Sequence, residues 1–462
     1  MEGRGGNRSR EEVLNTPHSA VAPVARLGRE EKRVIALSSF GGALEFYDFI
    51  VYGVFAQYIS AAFFPADNAI VSLVSTFAFF AIGYFVRPLG GFVLSRFGRR
   101  NIFLLSLLVM SVATIAMGLM PTYATAGVTA TLLFVALRLV QGFCLGGEIA
   151  GAVTYVVEAA PHRAGLACGI LFCLSGMGVV LASGVSAAVH AILPAADAAA
   201  YGWRAAFLLG GILGLLGFWI RGSLEESPAF AGIRNHVHRA PAGVVLRDYW
   251  RPLLIAMGVV AAVGALNGLL FVHMPAHLTR VLDYGPRTVA NATMLSVTVL
   301  SVLVVVVGWL SDSIPRRWLH RTGTMIFIAG AWPAYQAIAQ HAVDPTVIFI
   351  VIGACGALMN GTFGVIAADL FPTRVRFTGV ALSYNVSMAI FQGLTPLAAT
   401  LLIGATGLPA APGLWMAGVA ALSLLFGLWL KRFDGQILRQ SDATIGSLAP
   451  TSKATLAPTT AG

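Results

Sequence analysis

Apolar runs of about twenty residues or more, each long enough to cross a bilayer, follow one another along most of this chain, and that repetition leaves few folds open. They number twelve, at about 34–60, 69–95, 102–120, 126–157, 166–192, 203–221, 251–280, 287–311, 322–340, 345–371, 377–405 and 412–431. In hydrocarbon every backbone N–H and C=O must find a partner within the protein, so continuous runs of this length read as helices. The alternating segments of an outer-membrane barrel do not fit them. The residue balance agrees, because 11% of the chain is charged and 57% is hydrophobic, against about 25% charged in soluble domains. The expected fold is an all-α membrane protein with 12 transmembrane helices.

The hydrophilic stretches divide the chain. Residues 1–33 are polar, carry seven Lys/Arg and lack the apolar core of a signal peptide. They are expected to form a cytoplasmic N-terminal segment. The widest hydrophilic gap, 222–250, separates a bundle at 34–221 from a second at 251–432 and is expected as a central cytoplasmic loop. Residues 433–462 are rich in Ser, Thr, Ala and Pro and are expected as a disordered tail. Basic residues alternate with the helix count. Fourteen arginines (96, 99, 100, 163, 221, 234, 239, 247, 251, 316, 317, 321, 374 and 376) fall on one side, and three (204, 280 and 287) on the other. That bias places both termini in the cytoplasm. It also accounts for the net charge of +10 without nucleic acid, since the cations are scattered singly and in short pairs. Cys144, Cys168, Cys173 and Cys355 lie inside apolar runs with no metal-ligand spacing, so neither a disulfide nor a metal site is expected.

The two halves echo each other. Gly91, Ser95, Arg99 and Arg100 follow the second run, and Gly308, Asp312, Arg316 and Arg317 follow the eighth at identical spacing. Glu158, Pro161 and Arg163 follow the fourth run, as Asp369, Pro372 and Arg374 follow the tenth. The echoes are 217 and 211 residues apart. Two six-helix bundles related by pseudo-two-fold symmetry are the expected architecture, suited to rocking around a midplane site.

Polar residues inside the apolar runs mark that site. Residues 138, 141, 145 and 148 share one face of a helix, which sets Arg138, Gln141 and Glu148 on one side of the fourth run. A charge at that depth costs roughly 2.5–3.5 kcal/mol and is kept for function. Arg138 and Glu148 stand about 15 Å apart along a straight helix, too far to pair, so each must look to other helices. In the first run Glu45 and Asp48 lie near the bilayer centre, with Tyr52 one turn beyond Asp48. Two carboxylates that close in a poor dielectric favour holding a proton on one of them. Arg138 offers a two-pronged fork for a carboxylate. Gly142, Gly146, Gly147 and Gly151 suit close helix packing. Arg87 is expected to snorkel towards the cytoplasm. The second half contributes neutral groups: Asn267 and the His273–His277 pair on the seventh run, Asn360 on the tenth, and Tyr384, Asn385 and Gln392 on the eleventh.

These motifs resemble the major facilitator superfamily, whose signature G-x-x-x-D-[RK]-x-G-[RK]-[RK] is echoed at Gly91 and Gly308. Within it the chain looks like the metabolite–proton symporters, which carry citrate, 2-oxoglutarate, shikimate, or proline and betaine. The carrying motifs are Leu44–Asp48, Arg87–Gly91, Arg138–Glu148, Gly202–Arg204 and Phe371–Gly379, and the likeness spans about residues 34–431. Ser95 departs from the pattern, standing where the superfamily has an aspartate. The resemblance implies that the latch this aspartate helps to make between the halves needs another acid here or is weaker on this side.

The resulting expectation is a multi-pass carrier in a bacterial inner (plasma) membrane. It would be a monomer, neither an enzyme nor cofactor-dependent, carrying a small organic acid such as citrate or 2-oxoglutarate together with protons by alternating access. The alternatives are a carrier of a zwitterionic osmolyte (proline or betaine) and a proton-independent facilitator or exchanger. Its partners would be the small-molecule substrate, protons and membrane lipid. The expected proton-coupling residues are Glu45, Asp48 and Glu148. Those expected to bind substrate are Arg138, Gln141, Tyr52, Asn360, Tyr384, Asn385 and Gln392. A cytoplasmic gate would use Arg87, Arg96, Arg99, Arg100, Glu158, Arg163, Asp312, Arg316, Arg317, Asp369 and Arg374, with local pairs Glu158–Arg163 and Asp369–Arg374.

Overall fold

The computed structural model describes residues 27–64, 75, 78–79, 81–94, 99–221, 241–432, 435 and 437. Among these residues the chain is entirely helical apart from turns. Eight helical stretches there are long and apolar enough to cross a membrane. They fall on the first, fourth, fifth, sixth, seventh, eighth, tenth and eleventh expected runs. Shorter apolar helices, Leu104–Leu119 and Ala411–Gly427, stand at the third and twelfth. The ninth is the helix Arg316–Ala339, and the second is described only in part, with a helix at Arg87–Leu94. Most of the N-terminal segment, much of the central loop and nearly all of the tail lie outside the described residues, as do Ser95 and Arg96. Pro241–Asp248, assigned above to the central loop, forms a helix of its own.

Helix contacts are made by removing side chains. Gly142 faces the Gly83 carbonyl, and Gly146 faces that of Arg87, so a Cβ on either would drive into backbone. This brings the second and fourth runs to backbone contact, the arrangement small residues permit in lipid. The same device joins the two halves of the chain. Ala164–Ile192 runs along Pro286–Leu310, and Gly165 and Gly169 abut Gly308 and the Val304 carbonyl. In the second half Trp250–Gly268 is the inner helix, buried along most of its length.

The fourth run departs from the straight helix expected of it. It is built as Val128–Leu145 and Glu148–Ala159, interrupted at Gly146–Gly147. The Gly146 carbonyl is taken instead by the side-chain amide of Asn385, at 2.5 Å, from the other half. Arg138 and Gln141 therefore belong to one helix, and Glu148 to the first turn of the next. Gly146→Ala should separate the second and fourth runs, at a cost of about 1–3 kcal/mol typical of overpacking. Thermal unfolding of the purified protein should show a fall in Tm of several degrees; an unchanged Tm would mean that this contact yields freely.

Candidate substrate and proton-coupling site

The first, third and fourth runs converge on a polar cluster sealed from solvent. The first helix, Arg29–Val54, supplies Asp48 and Tyr52, both 0% exposed. Arg138 and Gln141 of Val128–Leu145 are each 1% exposed. The Arg138 guanidinium lies over the Tyr52 ring, with Cζ 4.5 Å from the centroid. Stacking on an aromatic face compensates a desolvated cation in part. Its Nη1 donates to Gln141 Oε1 at 3.1 Å. Gln141 Nε2 donates in turn to Thr114 Oγ1 at 2.6 Å. Thr114, on the helix Arg99–Leu119, lies 3.3 Å from Asp48 Oδ2. Asp48 Oδ1 has no hydrogen-bond partner. The helix Trp203–Arg221 closes over this carboxyl with two glycines, and a Cβ on Gly210 would strike Asp48 Oδ1.

Arg87 differs from its snorkelling expectation. It is 5% exposed, and its guanidinium lies 3.9 Å over the ring of Tyr84. Tyr84 also has Arg138 as an electrostatic neighbour. The reason is the pinched contact at Gly146, which holds the Arg87 backbone against the fourth run. Arg87 thus joins the buried cluster instead of the loop. Glu148 is 3% exposed. The Glu45 side chain lies outside the described residues.

The second half meets this cluster with neutral groups. Gly393 packs on Tyr84, at the end of a π-helical turn, Ala389–Gly393, that also contains buried Gln392. Such turns recur at functional sites. Asn385 bonds Gly146, as above, and its Oδ1 has no partner. Tyr384 is buried and stacks with Phe363, centroids 6.1 Å apart. Phe363 packs in turn on Phe172 of the first half at 4.5 Å. Asn360 turns to its own half, accepting from Asn267 at 3.3 Å and donating to the Gly356 carbonyl at 3.1 Å. His273 and His277 stack 5.1 Å apart, and His277 Nε2 reaches the Pro409 carbonyl at 3.1 Å.

A second cluster ties the halves at the end marked by the repeated corners. Arg376 donates to Glu158 at 3.2 Å, with side-chain exposures of 3% and 12%. It also holds the Ala368 and Phe371 carbonyls. Asp312 accepts the backbone N–H groups of Gly165 at 2.7 Å and Leu166 at 3.0 Å, the first turn of Ala164–Ile192. An acid there meets unpaired amides and the positive end of the helix dipole. The charge of Arg163 also acts on Asp312. Asp369 pairs with Arg316 at 3.2 Å and accepts from Gly435 and Ile437, each at 2.9 Å.

Two corrections follow. Asp369 is partnered by Arg316 and not by Arg374, which points outward. Glu158 reaches across to the second half as well as belonging to its own corner. Spacing along the chain suggests local pairs, whereas Arg316–Asp369 and Arg376–Glu158 follow from which helices are neighbours. Arg317 is half-buried at the same end, and the side chains of Arg99 and Arg100 lie outside the described residues. At the opposite end a cavity lies between the halves, lined by Gly53, Ser186 and His190 on one side and Phe271, Thr279 and Thr293 on the other.

Sequence reasoning missed Thr114 and the pairing of Arg376. Thr114 is one of three hydroxyls in an apolar run, with Ser106 and Ser111, and no pattern marks it out. Arg376 was visible as a cation of the corner, but its partner is 218 residues away.

Comparison with known proteins adds a second line of argument. Residues 38–390 match the Major Facilitator Superfamily. The chain is 30% identical over 442 residues to the glycine betaine/proline/ectoine/pipecolic acid transporter OusA of Dickeya dadantii (strain 3937), covering 90% of this chain and 87% of that protein. It is 31% identical over 432 residues to the proline/betaine transporter of Escherichia coli (strain K12), covering 88% and 85%. Its fold matches the proton:xylose symporter XylE bound to 6-bromo-6-deoxy-D-glucose. The TM-score is 0.70 at 17% identity, covering 87% of this chain and 95% of that one.

Proposed function

The chain belongs to the Major Facilitator Superfamily, and from that premise we propose that it is a proton-coupled carrier of a zwitterionic osmolyte of the proline or betaine kind. Its work is transport of a small molecule across a membrane, not catalysis. The observation that carries the substrate reading is Arg138, a buried guanidinium bedded on Tyr52. It suits one carboxylate. Tyr84 and Tyr384 supply aromatic faces of the kind that attract an alkylated ammonium. The relatives' names point the same way, so the organic-acid expectation gives way to its zwitterionic alternative.

In this reading Arg138 and Gln141 bind the carboxylate, and Tyr52, Tyr384, Asn385 and Gln392 shape the rest of the pocket. Asp48 carries the coupled proton, with Glu45 and Glu148 as further acids of the same site. Arg87 backs the pocket through Tyr84. Asn360 orders the second half around it. Glu158, Asp312, Arg316 and Asp369 hold the cytoplasmic end shut while the opposite cavity admits substrate. Twelve helices in two bundles, both termini in the cytoplasm, a monomer in a bacterial inner membrane and energy from the proton gradient complete the proposal. No cofactor is called for.

Proteoliposomes holding the purified protein test it. Labelled betaine or proline should accumulate under an inward proton gradient, and dissipating the gradient should reduce uptake to equilibration. Citrate should not compete. Accumulation of citrate in place of betaine would sink the substrate assignment, and uptake indifferent to the gradient would sink the coupling.

A further inference from the structure

Hydrogen-bond direction along the buried cluster leads to one residue that nothing above assigns a role. A guanidinium can only donate, so the atom of Gln141 facing Arg138 must be its oxygen. Its amide nitrogen therefore faces Thr114 and donates to Oγ1. This fixes the polarity of the chain from Arg138 to Thr114 and uses one lone pair of the hydroxyl. The hydroxyl has one proton of its own, and two acceptors compete for it. They are the Met110 carbonyl at 2.9 Å and Asp48 Oδ2 at 3.3 Å. Thr114 is thus the one link at which direction can reverse.

We propose that Thr114 is a positioning residue that passes the protonation state of Asp48 to the Gln141–Arg138 pair. The proposal rests on the reading that Asp48 carries the coupled proton and Arg138 holds the substrate carboxylate. With Asp48 ionised, the hydroxyl turns to Oδ2 and gives up Met110. When a proton arrives on Oδ2, the new carboxyl O–H donates into the second lone pair of Oγ1, and the hydroxyl returns to the Met110 carbonyl. One proton is added at the carboxyl, no covalent bond of Thr114 changes, and the hydroxyl ends with two bonds accepted and one donated. The rotation leaves Oγ1 in place but turns its dipole and the lone pair offered to the Gln141 amide, and Gln141 holds the guanidinium.

The surroundings leave this link without competition from water. Asp48 and Thr114 are 0% exposed. The charged and titratable groups facing Asp48 are Arg138 on the fourth run and Tyr47 on its own helix, with Tyr52 one turn on beneath Arg138. Glu45 stands one turn earlier on that helix. The third run adds Ser111, bonded to the Leu107 carbonyl, and the sixth presents Gly210 and Gly214. Tyr47 is engaged with the Ala206 carbonyl at 2.9 Å.

The experiment compares wild type, Thr114→Val, which keeps the shape without the hydroxyl, and Thr114→Ser, which restores it, all as full-length protein in proteoliposomes. Betaine counterflow without a gradient and accumulation driven by an inward proton gradient are measured across a pH series. Thr114→Val should retain counterflow but lose about tenfold in gradient-driven accumulation, the scale of one buried hydrogen bond, and its pH profile should flatten. Thr114→Ser should recover most of both. Should Thr114→Val fail to fold by thermal unfolding, Thr114→Ala takes its place. Wild-type accumulation and pH profile in Thr114→Val, or equal loss of counterflow in the Val and Ser variants, overturns the link. Wild-type protein that does not respond to the gradient refutes the functional reading itself, a separate outcome.

Discussion

Arg138→Leu is expected to yield a folded carrier that no longer takes up betaine or proline. Arg138 is 1% exposed, and Gln141, to which it donates, is neutral. A substrate carboxylate meeting it enters a site without competing water. Removing one partner of such a desolvated pair costs about 2–5 kcal/mol, a drop in affinity of roughly 30-fold to several thousand-fold. Arg138→Lys separates charge from shape. It keeps the cation but loses the planar fork and much of the stacking on Tyr52, so it should bind weakly instead of not at all. Thermal shift with betaine gives the affinity directly, because a ligand of the folded state raises its apparent stability. An Arg138→Leu protein that is stabilised by betaine as wild type is would place the carboxylate elsewhere.

The second large effect is conformational. Glu158→Gln should open the end of the molecule where the two halves are tied. The pair it breaks is buried at Arg376 and largely buried at Glu158. A guanidinium left there with neutral acceptors in place of its carboxylate costs up to about 3–5 kcal/mol, and only while that end stays closed. Once open, Arg376 reaches water, so most of the cost appears as a population shift of roughly 100-fold or more. Glu158→Gln is a cleaner test than a change at Arg376, which also holds the Ala368 and Phe371 carbonyls and so orders its own corner. Spin labels at exposed His162 and Arg374 report the separation of the two corners. The distance distribution should lengthen in Glu158→Gln and shorten again when charges are exchanged in a Glu158→Arg, Arg376→Glu double variant. A distribution identical to wild type would mean that Asp312 on the Gly165 and Leu166 amides holds that end alone.

That second cluster shows how an altered signature is accommodated. Ser95 cannot serve as the acid that the superfamily pattern has at this place. The acids that span the halves here are Glu158 and Asp312, one contributed by each half, and both find partners near the first-half corner or opposite it. The echo of Glu158, Pro161 and Arg163 in Asp369, Pro372 and Arg374 was visible in the sequence. The cross-connections Arg316–Asp369 and Arg376–Glu158 were not, because spacing along the chain carries no information on which distant segments meet.

The sequence by itself determined what depends on neighbours along the chain. Apolar run length dictated helices, since lipid leaves the backbone no other way to satisfy its hydrogen bonds. Helical spacing put Arg138 and Gln141 on one face, and a three-residue separation brought them into contact. Tertiary structure decided what depends on which helices touch. It broke the fourth run at Gly146, where Arg87 backbone and Asn385 press from two sides. It drew Arg87 inward, and it brought Arg376 of the other half to Glu158. It also set Thr114 between Asp48 and Gln141, residues 66 positions before it and 27 after it in the chain. Hydropathy and periodicity are local quantities, but the partner of a buried polar group is fixed by packing between distant segments, where a single ångström separates a hydrogen bond from none.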